Sequence, residues 1–428
     1  MWFLRQLFPS SAAYVQHLGL RLSGPLDLAA LERALGEIVR RHHALRTLFG
    51  VGPDGLPEQH VREDATATLV QEDLSDLGLE GADAETRSRF GVEVERPFDL
   101  EHEIPFRALL FRLAENEHVL LILTDHIVAD GWSLGIIASE FSTLYEAYAG
   151  GTEPRLEPPP LQYTEFALWQ RNQLTDEALQ QSLAYWSKEL RALVPLELPL
   201  DHPRPPVPTA EGDVLLLRYP RDVSDAAVKL AHSERATPFM LLVAVFAVLL
   251  GREAETDDVA IGVPVHGRRS DLQGVIGSFV NSLVLRFDVS GNPTFREVLA
   301  HVREKSLTAY LHQDVPFERV VRAVHPPRDL QRNPFFDVFF GFQNLHWWTT
   351  FQMGEVTVES YNPPNVVCRF DAELHLWLEE GAIAGGLLYQ TSLFERSSME
   401  RFAARYEALL GAATRDPDAR LDALLAAT

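Results

Sequence analysis

The densest chemistry in this chain lies in DHIVADGWS, residues 125–133, which places one imidazole and two carboxylates within six positions. Such groups held on a short loop suit acid–base work or the orientation of a nucleophile, provided rigid elements flank them. The flanks qualify. VLLIL at 119–123 is a run of five apolar residues bounded by polar ones and predicts a buried strand. Downstream, Leu134, Ile137, Phe141, Leu144, Tyr145 and Tyr148 recur at helical spacing, which predicts a helix ended by Gly150 and Gly151. Ser133 is the expected N-cap of that helix. Asp130-Gly131 is expected to form a tight turn, with Gly131 supplying a positive φ.

Within this frame the segment resembles the HHxxxDGxS signature of condensation domains in nonribosomal peptide synthetases, relatives of chloramphenicol acetyltransferase. His126 matches the second His, Asp130 the Asp, Gly131 the Gly and Ser133 the Ser, while Asp125 stands where the first His would be. Further segments resemble the family's motifs in the family's order. RHHALRTLF (41–49) is similar to RHExLRTxF, with His43 in place of Glu, and YTEFALW (163–169) is similar to YxDYAxW. IGSFVNSLVLR (276–286) resembles IGxFVNTLxLR, HQDVPFE (312–318) matches HQDxPFE, and RDLQRNPFF (328–336) resembles RDxSRNPLF. The opening MWFLRQLFPSSAAY is similar to a family segment with its front missing. The closing RDPDARLDALLAAT is similar to the run that leads into an adenylation domain. The chain therefore reads as a module of a larger assembly line.

The resemblance implies an α/β fold of two acetyltransferase-like lobes, a V-shaped pseudo-dimer around a tunnel, divided as 1–175 and 176–428. It implies amide bond formation between a donor acyl or peptidyl thioester and an acceptor aminoacyl thioester. Both would arrive on the 4'-phosphopantetheine arms of carrier domains, an upstream donor and a downstream acceptor, with an adenylation domain adjacent and no tightly bound cofactor. In that scheme His126, Asp130 and Gly131 form the catalytic set, while Asp125, Ser133, Arg268 and Asn281 support the motif and the tunnel. The family pairs this Asp with an Arg in a strand of the second lobe, and the matching residue in GVPVHGR (262–268) is Arg268. Asp130 is thus expected to be structural, because an unpaired buried carboxylate costs several kcal/mol. Gly131 stands equally as a turn residue or as the start of an amide pair facing a developing oxyanion. The wording IVADGWS and SFVNSLVLR resembles the subtype that accepts an L-configured donor.

Asp125 opens a rival reading. Asp125, Asp130 and Ser133 together satisfy DxxxxDxxS, the signature of heterocyclisation domains, although those domains usually lack His at the position of His126. A second rival is a non-catalytic member that recruits a modifying enzyme. Asn281, Gln343 and Asn344 are candidates for tunnel lining or for backbone-satisfied amides. Trp347 and Trp348 are either a gripping loop or divided between core and surface.

Bulk properties narrow the classes. At 428 residues the chain exceeds one ordinary core, and 46% hydrophobic residues suffice for well-buried ones. A net charge of −23 argues against nucleic acid as a partner. His42, His43, His312 and His325 lack metal-ligand spacing, so no metal is expected. A single cysteine, Cys368, suits a reducing bacterial cytoplasm. The apolar run at 238–250 follows Thr237 as cap with Pro238 at the first helical position; it is too short to span a bilayer and predicts a core helix. No membrane association is expected, and the excised domain is expected to be monomeric. Leu28, Leu31, Leu35, Ile38 and Val39 mark one face of a helix capped by Asp27. DHPRPPVP (201–208) predicts an extended connector.

Overall fold

The computed structural model describes residues 12–426 apart from 54, 174–175, 207–208, 328, 330, 344–349 and 363–365. The expectations for Trp347, Trp348, Asn344, the first eleven residues and part of the 328–336 motif lie outside the described residues.

In chain order the strands are β1 (Val15–Ser23), β2 (Thr47–Val51), β3 (Pro57–Val61), β4 (Leu69–Asp73), β5 (Phe106–Ala114), β6 (Glu117–Asp125), β7 (Glu211–Arg218), β8 (Asp258–Val265), β9 (Asn281–Asp288), β10 (Val338–Gln343), β11 (Phe351–Met353), β12 (Val356–Ser360), β13 (Val366–Val367), β14 (Ala372–Glu379) and β15 (Ala382–Gln390). The helices are α1 (Leu28–Arg41), α2 (Gly78–Val94), α3 (Gly131–Ala149), α4 (Tyr163–Gln173), α5 (Asp176–Glu189), α6 (Arg221–Ser233), α7 (Pro238–Glu253), α8 (Phe295–Tyr310), α9 (Phe317–Val324), α10 (Arg396–Arg415) and α11 (Leu421–Ala426).

The chain divides into two compact units. The first takes the described residues of Met1–Gln173, Arg268–Val280 and His346–Asn365; the second takes Leu174–Gly267, Asn281–Leu345 and Val366–Thr428. The contiguous halves expected from the sequence give way to an interleaved division. The reason is local packing: later segments complete the first unit's sheet and core.

The first unit is built on a six-stranded sheet in the order β11-β12-β1-β6-β5-β4. β1 and β5 flank β6 antiparallel, so residues 117 to 124 of β6 have a register partner on each side. From His118 to Asp125 β6 is buried throughout, which explains its unbroken apolar run. α1 begins as expected, with the Asp27 side chain accepting from the Ala30 amide and Leu31, Ala34, Leu35, Ile38 and Val39 buried. The Tyr145 hydroxyl on α3 accepts the Asp27 amide, tying the start of α1 to α3. The segment Arg268–Val280 brings Leu272, Val275 and Phe279 against Phe166 of α4 in a small buried cluster.

The second unit carries a seven-stranded sheet, β13-β7-β15-β14-β10-β8-β9. β10 runs parallel to both β14 and β8, while the other pairings are antiparallel. α7 is its central helix. Thr237 caps it, Pro238 opens it, and residues 240 to 251 are all buried, as the uniformly apolar sequence requires. No single helix among the described residues is long and apolar enough to cross a membrane. α8 starts with a reciprocal capping box between Thr294 and Glu297.

Candidate active site

β6 ends at Asp125, and His126 is the first residue of the turn that follows. Asp125 holds this turn together. Its carboxylate accepts from the Ile127 amide at 2.9 Å, and its carbonyl accepts from Val128 and Ala129 at 3.0 and 3.2 Å. An Asp at this position thus builds an Asx-type turn that fixes the backbone on both sides of the imidazole. The His126 amide donates to the Tyr14 carbonyl at 2.8 Å, anchoring the position to the start of β1. His126 is half-buried, with Nδ1 shielded from solvent.

Asp130 sits at the other end of the turn, fully buried and N-capping α3. Its Oδ1 accepts from the Ser133 amide at 2.9 Å and the Ser133 hydroxyl at 2.8 Å, and it pairs with Arg268 Nη2 at 2.8 Å. Its Oδ2 accepts from the Phe279 amide at 3.1 Å. Arg268 also donates to the Leu272 and Val275 carbonyls and to the Ser133 hydroxyl oxygen, and its guanidinium lies 4.2 Å from the centre of the Phe279 ring. Burial lowers the Arg268 pKa from its ordinary value, and the Asp130 charge and hydrogen bond oppose that shift. Ser133 completes the knot, since Gly277 donates its amide to the Ser133 hydroxyl at 3.1 Å. Removing either charge would leave the other buried and uncompensated, a loss on the order of 3–5 kcal/mol.

The geometry alters several sequence expectations. Ser133 does not cap α3; Asp130 does, and Ser133 is a buried residue of the first turn, because a carboxylate one turn earlier captures its amide. Gly131 does not adopt a positive φ. It is an exposed first residue of α3, and a Cβ built there meets nothing within 4 Å. Arg268 lies three residues beyond the end of β8, not in a strand, and belongs to the first unit together with Asp130. Asn281 stands at the start of β9 and belongs to the second unit. Its amide donates to the Gln313 and Val315 carbonyls and accepts from the Phe317 amide, so it clamps the HQDVPFE turn.

The other motifs act as supports. Tyr163 donates to the Ser278 carbonyl at 2.7 Å and packs where a Gly277 side chain would be, since a Cβ there would fall 2.0 Å from its ring. Arg269 lies 4.2 Å from the Trp169 ring centre, and Trp132 donates to the Gln273 carbonyl at 2.8 Å. YTEFALW therefore holds the Arg268–Val280 segment that delivers Arg268. In the 41–49 motif, Arg41 and His42 both meet Glu140 of α3, whose carboxyl is held below its usual range by His42 and Arg41 despite burial pushing it up. His312 meets Ser182 at 3.0 Å and stacks on Tyr185. Sequence reasoning missed Glu140 and the Phe279 amide. A Glu on the third turn of an apolar helix was a visible signal for the first, whereas a backbone amide carries none.

Comparison with known proteins covers the whole chain. A family model described as Condensation domain matches residues 1–427. Chondramide synthase cmdD of Chondromyces crocatus is 38% identical over 427 residues, covering 98% of this chain and 11% of that protein. A dimodular nonribosomal peptide synthase of Bacillus subtilis is 37% identical over 436 residues, covering 98% of this chain and 18% of that protein. The chain thus spans a small part of these relatives. Among solved structures, the complex of the X-domain and OxyB from teicoplanin biosynthesis superposes with a TM-score of 0.88 at 28% identity, over 99% of this chain and 93% of that one. With an acetyltransferase-like α/β fold, the motif order and a match from end to end, this chain belongs to the condensation domain family of nonribosomal peptide synthetases.

Proposed function

We propose that this chain joins a donor acyl or peptidyl thioester to the amine of an acceptor aminoacyl thioester, each presented on the phosphopantetheine arm of a carrier domain. The observation that carries this reading is His126, half-exposed on a turn that Asp125 fixes at one end and the Asp130–Arg268 knot fixes at the other. Peptide bond formation needs little else. An α-amino group with a pKa near ~8 is about one-tenth neutral at pH 7, so deprotonation costs only about 1.4 kcal/mol. Holding amine and carbonyl in attack geometry is worth ~7–11 kcal/mol. His126 accordingly orients the amine and takes its proton as the tetrahedral intermediate forms. The thioester supplies the driving force, and the thiol of the donor arm leaves. Asp130, Arg268 and Ser133 position this loop without touching substrate.

The test is a mass-spectrometric condensation assay with pairs of loaded carrier domains. Amide formation by the wild type and its loss in His126→Ala, with both proteins equally folded, is the expected result. Near-normal turnover of the variant would end the assignment of His126. Heterocyclisation is disfavoured by the engagement of the Asp125 carboxylate with the Ile127 amide and by the presence of His126. Loss of water beyond amide formation with a cysteinyl or seryl acceptor would revive it.

Recruitment of a modifying oxygenase is the second reading, favoured by the resemblance to an X-domain solved with OxyB. It predicts stable binding of such an oxygenase and no amide with any substrate pair. The neighbours proposed for this chain are an upstream donor carrier domain, a downstream acceptor carrier domain and an adenylation domain.

A further inference from the structure

Thr124 is a buried polar residue with no part in the chemistry described for His126. It lies on β6 two positions before that residue, is 0% exposed, and its hydroxyl has no hydrogen-bond partner among the described residues. Burying a hydroxyl without a partner destabilises a fold, and valine would fill the same volume in a strand without that cost. Thr86 and Ser306 are also buried with unbonded hydroxyls. Both lie in helices, α2 and α8, where a rotated hydroxyl reaches a carbonyl of the preceding turn. A strand offers Thr124 no such acceptor, because the carbonyls beside it lie in the plane of the sheet and are spent on its ladder.

The register shows which group the hydroxyl can serve. Thr124 pairs with Gln16 on β1 and with Phe106 on β5, while Asp125 pairs with Val15. The His126 amide donates to the Tyr14 carbonyl at 2.8 Å, so the ladder with β1 runs one step past the end of β6. Side chains alternate along such a ladder, which puts His126 on the face of Thr124 and Gln16 and puts Asp125 on the other. Earlier on the His126 face, Leu120 and Ile122 are fully buried; polar groups begin at Thr124 and the partly exposed Gln16, the step next to the imidazole. Two steps along a strand span about 6.7 Å. The Thr124 hydroxyl and a ring turned toward it close that gap to hydrogen-bond length. The Asp125 carboxylate is engaged by the Ile127 amide. A neutral imidazole has one N–H, whereas the imidazolium formed when it takes the amine proton has two, and each calls for an acceptor.

We propose that Thr124 is a positioning residue for His126, its hydroxyl oxygen accepting a ring N–H of the imidazolium that forms as the amine joins the thioester. The inference rests on the condensation reading and deepens it. The acceptor nitrogen attacks the thioester carbon, its proton passes to the ring, the carbon–sulfur bond breaks, and the proton leaves with the departing thiol. Thr124 exchanges no proton. A hydrogen bond from a charged group is stronger than one from a neutral group, so the benefit falls on the charged intermediate and not on substrate binding.

The experiment uses the full chain with loaded carrier domains and compares Thr124→Val and Thr124→Ser with the wild type. Thr124→Val should unfold in urea at the same or a higher midpoint, because the unbonded hydroxyl is gone. Its kcat should fall at least about fivefold with KM for each carrier within about twofold, and Thr124→Ser should keep kcat within about threefold of the wild type. In the His126→Ala background, Thr124→Val should alter the residual turnover by less than about twofold, since the hydroxyl acts through the ring. A smaller fall in kcat, a fall that serine shares, a change confined to KM, or a larger effect in the absence of the imidazole overturns the proposal. Should Thr124→Val not fold, Thr124→Ser and Thr124→Ala, which differ by the hydroxyl alone, take its place, and equal kcat values end the assignment. If the wild type condenses no pair, the condensation reading fails. Thr124 is then judged by the 15N resonances of the protonated His126 ring: a shift between wild type and Thr124→Val supports the contact, and identical resonances end it.

Discussion

Two buried ionisable pairs, Asp130–Arg268 in the first unit and Glu373–His375 in the second, differ in how far their bonding capacity is used. In the first unit the Asp130 carboxylate meets donors from Ser133, Arg268 and Phe279, groups separated by up to 149 positions in sequence, and Arg268 is in turn engaged by backbone carbonyls. Its bonding capacity goes into joining α3 to the Arg268–Val280 segment. In the second unit Glu373 meets an imidazole two residues away on its own strand, and that ring stays partly exposed. A buried ion pair is therefore a poor indicator of function on its own. The informative quantity is whether an atom remains uncommitted once local donors and acceptors have been matched.

The sharpest break in this comparison comes from separating chemistry from architecture in the first unit. His126→Ala should lower turnover about 10²–10⁴-fold with little change in urea-unfolding midpoint, the usual range for a positioned acid–base group. Asp130→Ala should do the reverse. It should cost roughly 3–5 kcal/mol in urea unfolding because Arg268 is left unpaired, and activity should fall only in step with folding. If Asp130→Ala stayed stable yet inactive, Asp130 would belong to the chemistry and the contrast between the pairs would collapse.

Acid titration sharpens the contrast further. Glu373 has its folded pKa depressed to about 2, so the stabilisation it confers is complete above the unfolded carboxylate range and is lost as pH falls from about 4.5 towards 2. His17 on β1, edge-on to Phe90, is pushed down to about 4 by burial. The folded state keeps that ring neutral while the unfolded chain binds a proton, so stability declines as pH falls from about 6.5 to about 4. Each window is worth up to about 3 kcal/mol. Urea unfolding against pH should show both, with His17→Leu flattening the upper window and Glu373→Gln the lower.

Asp125 provides a smaller test. Asp125→Asn keeps an acceptor for the Ile127 amide and should change stability by less than about 0.5 kcal/mol, whereas Asp125→Ala should cost about 1–2 kcal/mol. Gly131→Ala should have the least effect, under about 1 kcal/mol, because the backbone is ordinary and the space is open. A large activity loss in that variant, with stability intact, would show that substrate passes against this position.

Much of the first unit was legible because its signals are local. The apolar run of β6, the Asp27 cap and the Gly150–Gly151 stop each rest on a few adjacent residues, as does the Thr237 cap in the second unit. Ser133 was misread because Ser and Asp both favour caps, and only the backbone geometry shows which one the helix chose. Arg268 was paired correctly with Asp130 through the motif, but its place outside a strand and within the first unit was not readable. The partners that place it, Leu272, Val275 and Gly277, offer backbone carbonyls, and every residue has one.

By itself, then, the sequence determined the strand–turn–helix that presents His126, the central helix α7 and the family to which the chain belongs, since these depend on periodicity, caps and motif order. Tertiary structure alone decided that a segment more than 130 positions away closes the Asp130 knot, that Asn281 clamps a turn in the other unit, and that Gly341 and Gly386 flank His375. The physical reason is that strand register and long-range backbone hydrogen bonds are set by the packing of whole faces. No single residue type encodes them.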